Sequence, residues 1–199
     1  MPMTPVDACK AFQAARGDAI VVCTMTSMNV LDMLAPGQPL TLSSVPLMGG
    51  AAALGLGIAL AQPDRRVIVL DGDSSLLMEL GVLTTVVGSM PANFHHFVFA
   101  NRVQFNGNFA LDLPGGGKCD FAAMARAAGY RDCAHWENAD DLSQLPGWLQ
   151  RPGPSLVELE MSAAESRVSA ANPPGQATDE RFERMGLEAA AIRKVLVGA

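Results

Sequence analysis

The chain has 199 residues, of which 49% are hydrophobic and 17% charged, and this balance favours a folded core over disorder. Its 20 acidic and 14 basic residues give a net charge of −6 without a basic cluster, which excludes nucleic acid and anionic membrane surfaces as expected partners. The length suits a single domain over 1–199, in which 162–199 is expected to form a C-terminal loop and helical arm.

The four cysteines show no metal-ligand spacing, and the first residues lack the basic and apolar regions of a signal peptide. We therefore expect reduced thiols in a cytoplasmic protein. The uncharged stretch 46–61 contains several glycines and falls short of the roughly 20 apolar residues of a membrane span. It predicts a buried helix of small residues packed tightly on a sheet.

Helical and strand patterns alternate along the chain. The first half predicts helices over 6–16, 49–61 and 75–89 and buried strands over 19–24, 66–70 and 94–100. After a Gly- and Asn-rich loop over 101–118, the second half predicts helices over 121–128, over 140–149 and from Thr178, with strands over 130–134 and 155–161. This alternation is typical of an α/β fold with a doubly wound, mostly parallel sheet and helices on both faces.

Polar side chains follow three of the predicted strands, where ligands bind in an open parallel sheet. They are Thr24–Ser27 after the first strand, Asp71–Ser75 after the second and Asn101 after the third. The start of a helix with serine hydroxyls suits phosphate oxygens, but the Asp73 carboxylate repels them unless a divalent cation bridges the two. Asn101 can offer an amide oxygen to the same ion. The alternative is that Asp73 only caps the helix that follows.

This arrangement resembles a known motif. The segment LDGDSSLLMELG … FVFANRVQ, in which Asp73 and Asn101 lie 28 positions apart, is similar to the thiamine diphosphate motif, and SVPLMGGAAALGLGIALA is similar to the helix that leads into it. Over 19–160 the chain most resembles the small subunit of sulfopyruvate decarboxylase and the matching half of phosphonopyruvate decarboxylase. The resemblance implies a thiamine diphosphate- and Mg²⁺-dependent carboxy-lyase that acts on a small 2-oxo acid.

The resemblance also implies roles for individual residues. Mg²⁺ would be bound by Asp73, Asn101 and the backbone carbonyl of Val103. The remaining cofactor contacts would come from residues that hold the diphosphate (Thr26, Ser75 and the backbone at Ser74), from Met48, which bends the cofactor, and from the carbonyl of Pro46, which faces the pyrimidine.

The family activates its cofactor through a glutamate on a pyrimidine-binding domain, for which a single domain leaves no room. The resemblance therefore implies half of an active site, inactive alone and completed in a homo- or hetero-oligomer by a pyrimidine-binding subunit. The uncharged stretch 33–63 agrees with an apolar association surface.

Departures from the motif leave a second hypothesis open, a non-catalytic domain of the same fold that acts as a structural or regulatory partner. Ser74 replaces a glycine of the motif, and the loop over 101–118 does not reproduce the family's sequence. Arg102 is unusual beside a metal site, although its charge could lie near the diphosphate.

Other candidate motifs favour structural roles. His95 and His96 lack a matching ligand pair, Met48 is by default core filler, and Cys119 and Cys133 have no neighbouring base. The glycines at 55 and 57 lack the third glycine and the strand–helix turn of a dinucleotide site, which disfavours a dehydrogenase.

Overall fold

The computed structural model describes residues 1–45, 47–106, 109–115, 117–162 and 178–197. Within these ranges the elements follow in the order α1 Pro5–Ala15, β1 Ile20–Cys23, α2 Met25–Leu34, β2 Thr41–Ser43, α3 Gly50–Ala61, β3 Val67–Gly72, α4 Asp73–Met78, α5 Val82–Ser89, β4 Phe94–Ala100, β5 Val103–Asn106, β6 Phe109–Asp112, α6 Phe121–Ala128, β7 Asp132–Trp136, a 3₁₀ helix Ala139–Gln144, α7 Leu145–Trp148, β8 Ser155–Glu160 and α8 Thr178–Val197.

Six strands form one sheet in the order β2–β1–β3–β4–β8–β7, and every pair in it is parallel. This confirms the predicted fold class. The order in which successive strands are added reverses at β1, because β2 lies on one side of β1 and β3 lies on the other. The strands themselves all run in the same direction. Cys23 pairs with Leu70, and Gly72 pairs with Phe99, so β1, β3 and β4 end at the same edge. A crevice at such a reversal is the ordinary ligand site of this architecture.

Each face of the sheet carries its own hydrophobic core, because successive strand side chains point to opposite faces. Val21 and Cys23 of β1 pack with Phe12 of α1 on one face, together with α2 and α7. Ile20 and Val22 pack on the other face with α3, α5, α6 and the buried Ile192 of α8. The predicted burial of the strands on both faces is thus confirmed.

The helix α3 approaches the sheet as closely as its small residues allow. Gly55 is buried, and a Cβ atom placed on it would collide with the side chain of Val69 and lie 3.2 Å from the ring of Phe94. Gly57, on the opposite side of the same helix, is exposed and has no atom within 4 Å of a Cβ position. The prediction of a tightly packed small-residue helix is confirmed.

Several local predictions were wrong. The helix expected over 75–89 is two helices, because the backbone at Glu79 leaves the helical region at the end of α4 and α5 begins at Val82. The loop expected over 101–118 contains the antiparallel hairpin of β5 and β6. The helix expected over 140–149 is a 3₁₀ helix followed by the short α7.

Besides β5 and β6, two more elements were not predicted, the helix α2 and the strand β2. The polar residues after β1 open the helix α2, in which Thr24 is the N-cap and exchanges hydrogen bonds with Ser27, and the three-residue β2 is too short to show a pattern. In the described part of the chain, no helix has the length and hydropathy needed to cross a membrane.

Candidate functional site

A cavity of about 250 Å³ opens at the carboxyl edge of the sheet, where β1, β3 and β4 end. It contains the predicted residues Thr26, Met48, Asp73, Ser74, Ser75, Asn101 and Val103. Pro46, the remaining predicted residue, lies outside the described residues. The rest of the described lining is Thr24, Met25, Ser44, Val45, Leu47, Gly72, Phe99, Gln104 and Arg181. The fold therefore brings together residues that are far apart in sequence.

Asp73 is the first residue of α4 and is 1% exposed. Its Oδ1 accepts the N–H of Ser74 at 2.7 Å, and its Oδ2 accepts the N–H of Arg102 at 2.7 Å. Gly72, not Asp73, occupies the N-cap position, so the carboxylate joins two strand ends rather than only capping a helix. Burial raises the pKa of Asp73 from 3.8 to about 6, which the two backbone N–H groups oppose only in part.

Asn101 directly follows the neighbouring strand β4 and is 6% exposed. Its Oδ1 accepts the N–H of Val103 at 3.1 Å, across a turn in which Arg102 has a φ of 64°. This turn directs the Arg102 N–H to Asp73 and lets Asn101 and Val103 both line the cavity. The carboxylate, the amide and the backbone after the turn therefore face one space.

The side chain of Arg102 points away from this space, contrary to the expectation that its charge could lie near a diphosphate. Its Nη1 donates to the carbonyl of Cys119 at 2.8 Å, and its Nη2 donates to Glu158 and Glu160, at 2.6 Å each. Glu158 is fully buried and also accepts the N–H groups of Phe121 and Ala122 at the start of α6. Arg102 thus supports the site through its backbone and uses its charge elsewhere.

Ser74 and Ser75 belong to α4. The Oγ of Ser75 accepts the N–H of Gly49 at 2.9 Å and so ties α4 to the start of α3, where Gly49 has a φ of 88°. Ser74 donates its backbone N–H to Asp73 and has no left-handed backbone. Serine in place of glycine therefore carries no conformational strain at this position.

The hydroxyl residues after β1 have two roles, since they form the start of α2 and also contribute to the lining of the cavity. Thr24 and Ser27 both donate to the carbonyl of Leu70, at 3.4 and 2.9 Å, and form the start of α2. Thr26 is half-buried and lines the cavity.

The mouth of the cavity carries apolar side chains. Met48 is 43% exposed and Leu47 is 40% exposed, and Met25 is 36% exposed. The interpretation of Met48 as core filler is therefore wrong, because its side chain is available to a ligand or a partner.

The donor set of the cavity fits a hard divalent cation. Asp73 and Asn101 offer side-chain oxygens, and in the described part of the chain no basic side chain forms a salt bridge with Asp73. A buried carboxylate without a cationic partner is costly, and a bound cation would lower that cost. Oxygen ligands of this kind are those that Mg²⁺ prefers.

Both neighbouring histidines are structural, as predicted. His95 Nδ1 lies 2.9 Å from Ser155 Oγ, and His96 Nε2 lies 3.2 Å from Asp71 Oδ2, in each case inside the protein and outside the cavity. All four cysteines are described, and none forms a disulfide. His135, Glu158 and Glu160 form a further cluster of possible ligand atoms, but both glutamates already accept hydrogen bonds from Arg102.

Sequence reasoning missed Arg181, the one basic residue in the described lining of the cavity. It lies in the first turn of α8, which packs beside β2. The only sequence signal was the pair of arginines in TDERFERM, at helical spacing.

Comparison with known proteins places this geometry in a family. Residues 19–159 match the family model described as thiamine pyrophosphate enzyme, C-terminal TPP binding domain. The phosphonopyruvate decarboxylase of Streptomyces hygroscopicus is 42% identical over 122 residues, which are 58% of this chain and 28% of that protein. The chain thus spans well under a third of that relative's length.

Two further similarities complete the comparison. The sulfopyruvate decarboxylase subunit beta of Methanothermobacter thermautotrophicus is 27% identical over 188 residues, 92% of this chain and 95% of that subunit. Among solved structures, a protein of Mycobacterium smegmatis assigned as a thiamin diphosphate-dependent enzyme matches with a TM-score of 0.66 and 22% identity, over 81% of this chain and 32% of that one. The structural likeness supports the fold.

Proposed function

Because the chain belongs to the thiamine pyrophosphate enzymes, as a C-terminal TPP-binding domain, we propose that it is the cofactor-binding subunit of a thiamine diphosphate- and Mg²⁺-dependent 2-oxo acid decarboxylase. The observation that carries this proposal is the convergence of Asp73 and Asn101 on one cavity at the ends of β3 and β4. When bound, thiamine diphosphate supplies the electron sink for the loss of CO₂ from a 2-oxo acid.

The metal ligands proposed here are the Asp73 carboxylate, the Asn101 amide oxygen and the Val103 backbone carbonyl. Support comes from the burial of Asp73 and from the turn at Arg102, which holds the three residues around one space. Mg²⁺ shares its coordination between protein oxygens, phosphate oxygens and water, which explains why so few protein ligands suffice.

The cofactor contacts proposed here surround the same space. Thr26, Ser75 and the backbone of Ser74 hold the diphosphate with hydroxyl and N–H donors. Met48, exposed at the mouth of the cavity, packs against the cofactor and sets its bent shape. The carbonyl of Pro46 accepts a hydrogen bond from the pyrimidine.

A second chain completes the active site in this proposal and supplies the activating glutamate from a pyrimidine-binding subunit. The similarity to a protein named subunit beta, along nearly the whole length of both chains, supports it. So do the exposed apolar side chains of Met25, Leu47 and Met48 at the cavity mouth, which a partner would cover. We place the complex in the cytoplasm, where cysteines stay reduced.

The substrate proposed here is a small 2-oxo acid of the sulfopyruvate or phosphonopyruvate type. Its support is the similarity to the decarboxylases with those names. The second candidate function is a non-catalytic domain of the same fold, which the unfamiliar hairpin β5–β6 favours. The two candidates differ in whether any 2-oxo acid is decarboxylated once a pyrimidine-binding chain is added.

The proposal is tested by titrating the full chain with thiamine diphosphate in the presence of Mg²⁺ or of EDTA. We expect Mg²⁺-dependent binding, and a loss of roughly tenfold or more in affinity for Asp73→Asn and Asn101→Ala, because each variant removes a charged or dipolar ligand. Asp64→Asn is the matched control, since Asp64 is exposed and remote from the cavity. Binding that ignores Mg²⁺, or an Asp73→Asn variant as tight as Asp64→Asn, would contradict the proposal.

A further inference from the structure

The side chain of Arg181 reaches the same cavity as Asp73 but makes no ion pair in the described part of the chain. Its Nε is buried and has no hydrogen-bond partner among the described residues. A buried N–H without a partner is costly, and a bound oxyanion would satisfy it together with other N–H groups of the same half-buried arginine. The arrangement therefore points to an anionic ligand.

The position of Arg181 is set by the docking of α8 on α2 and β2. One turn further along, Arg184 donates to both carboxylate oxygens of Asp32, at 2.6 Å each. Glu188 accepts the backbone N–H of Ser43 at 2.6 Å and its hydroxyl at 3.1 Å. Arg181, Arg184 and Glu188 are spaced at i, i+3 and i+7, which places them on one face of the helix. The contacts that anchor α8 thus direct Arg181 toward the cavity.

The balance of charge in the cavity also supports anion binding by Arg181. Asp73 and Arg181 are the only charged residues in its described lining, and Arg102 is bonded to Glu158 and Glu160 outside it. A divalent cation on the Asp73 carboxylate leaves a single net positive charge, which does not balance a diphosphate. Arg181 adds a second positive charge at the same site.

We propose that Arg181 is an anion-binding residue of this site, held over the cavity by α8 and bonded to an oxyanion group of the ligand. The inference rests on the proposed function. Two ligand groups carry such an oxyanion, the diphosphate of the cofactor and the acid group of a 2-oxo acid substrate. The experiment tests each of them in a separate titration.

The experiment compares Arg181→Gln with Arg193→Gln in the full chain. Arg193 lies on the same helix, is exposed and does not line this cavity, so its variant matches the loss of charge. Arg181→Lys keeps the charge and is expected to bind more tightly than Arg181→Gln. Thermal unfolding of all three variants establishes that α8 remains docked.

In the cofactor arm, Mg²⁺ with inorganic pyrophosphate and Mg²⁺ with thiamine diphosphate are titrated calorimetrically. In the substrate arm, sulfopyruvate and pyruvate are titrated into the chain loaded with thiamine diphosphate and Mg²⁺. Arg181→Gln is expected to raise the Kd by roughly 10- to 100-fold in one arm, the magnitude of a lost charged hydrogen bond. A change for both pyrophosphate and thiamine diphosphate assigns the diphosphate, and a change for sulfopyruvate alone assigns the substrate.

The inference is overturned if Arg181→Gln leaves every one of these Kd values within about twofold of wild type, or if Arg193→Gln weakens binding equally. Failure of the proposed function would give a different result from failure of this inference. In that case the wild-type chain binds thiamine diphosphate no better than pyrophosphate, whatever residue stands at position 181.

Discussion

At the scale of single residues, the cavity is built from polar groups that burial has made costly. Asp73 has a raised pKa of about 6 and accepts only backbone N–H groups, and Arg181 of the same lining has an unpartnered Nε. Three other buried side-chain atoms among the described residues also lack a partner, Arg16 Nε, His96 Nδ1 and Tyr130 Oη, and none of these residues lines the cavity. Unpaired polar groups inside a protein are rare, and Arg181 Nε is the one that belongs to the described lining of this cavity, where a ligand would complete its hydrogen bonds.

His95 gives a prediction that is independent of the cavity. Burial, with a smaller effect of Arg66, lowers its pKa from 6.5 to about 4. At pH 5 the unfolded chain therefore binds a proton that the folded chain does not, and stability is lost as pH falls below about 6.5. We expect wild type to lose about 2 kcal/mol between pH 7 and pH 5 relative to His95→Asn, measured by urea unfolding.

His135→Asn is the control for this measurement, because His135 is on the surface, and it should retain the acid loss of wild type. Equal slopes of stability against pH for wild type and His95→Asn would show that His95 is protonated in the folded state.

At the scale of elements, two close contacts hold the cavity walls in place. The helix α3 lies against β3 because Gly55 has no side chain. The turn after β4 is held because the Arg102 side chain bridges to Glu158 on β8, which in turn accepts the first N–H groups of α6. Each contact joins elements that are distant in sequence, and each can be tested with a matched pair of variants.

Gly55→Ala and Gly57→Ala form the first pair. A methyl group at position 55 collides with Val69, so we expect a loss of about 1–3 kcal/mol in the free energy of unfolding. At position 57 the space is open, so alanine is expected to stabilise the helix by about 0.5–1 kcal/mol. Urea denaturation measures both. Similar effects of the two variants would contradict the close approach of α3 to the sheet.

Glu158→Gln and Glu160→Gln form the second pair, since both side chains accept a hydrogen bond from the same nitrogen of Arg102. Glu158 is 1% exposed in its side chain and Glu160 is 39% exposed. Removing the buried charge is expected to cost about 3–5 kcal/mol, and removing the exposed charge less than about 1 kcal/mol. Equal losses in thermal or urea unfolding would show that the buried pair does not hold the turn.

At the scale of the whole molecule, the sequence predicts the sheet and most of the site, but it does not predict the helix α2 or the position of Arg181. Long apolar runs such as those of β3 and β4 have a strong pattern, and the carboxyl edge of a parallel sheet is where Asp73 and Asn101 must meet. The helix α2 was missed because Thr24 and Ser27 look like loop residues until their mutual capping is seen. Arg181 was missed because only the docking of α8 through Arg184 brings it to the cavity.

The proposed cofactor site requires one metal ion between Asp73 and Asn101. The most direct measurement is a crystal structure of the full chain with thiamine diphosphate and Mn²⁺ in place of Mg²⁺, in which anomalous scattering locates the ion. We predict one peak at roughly 2.0–2.3 Å from a carboxylate oxygen of Asp73 and from the amide oxygen of Asn101, with phosphate oxygens completing its shell. An ion bound elsewhere, or a diphosphate held without either residue, would contradict the account.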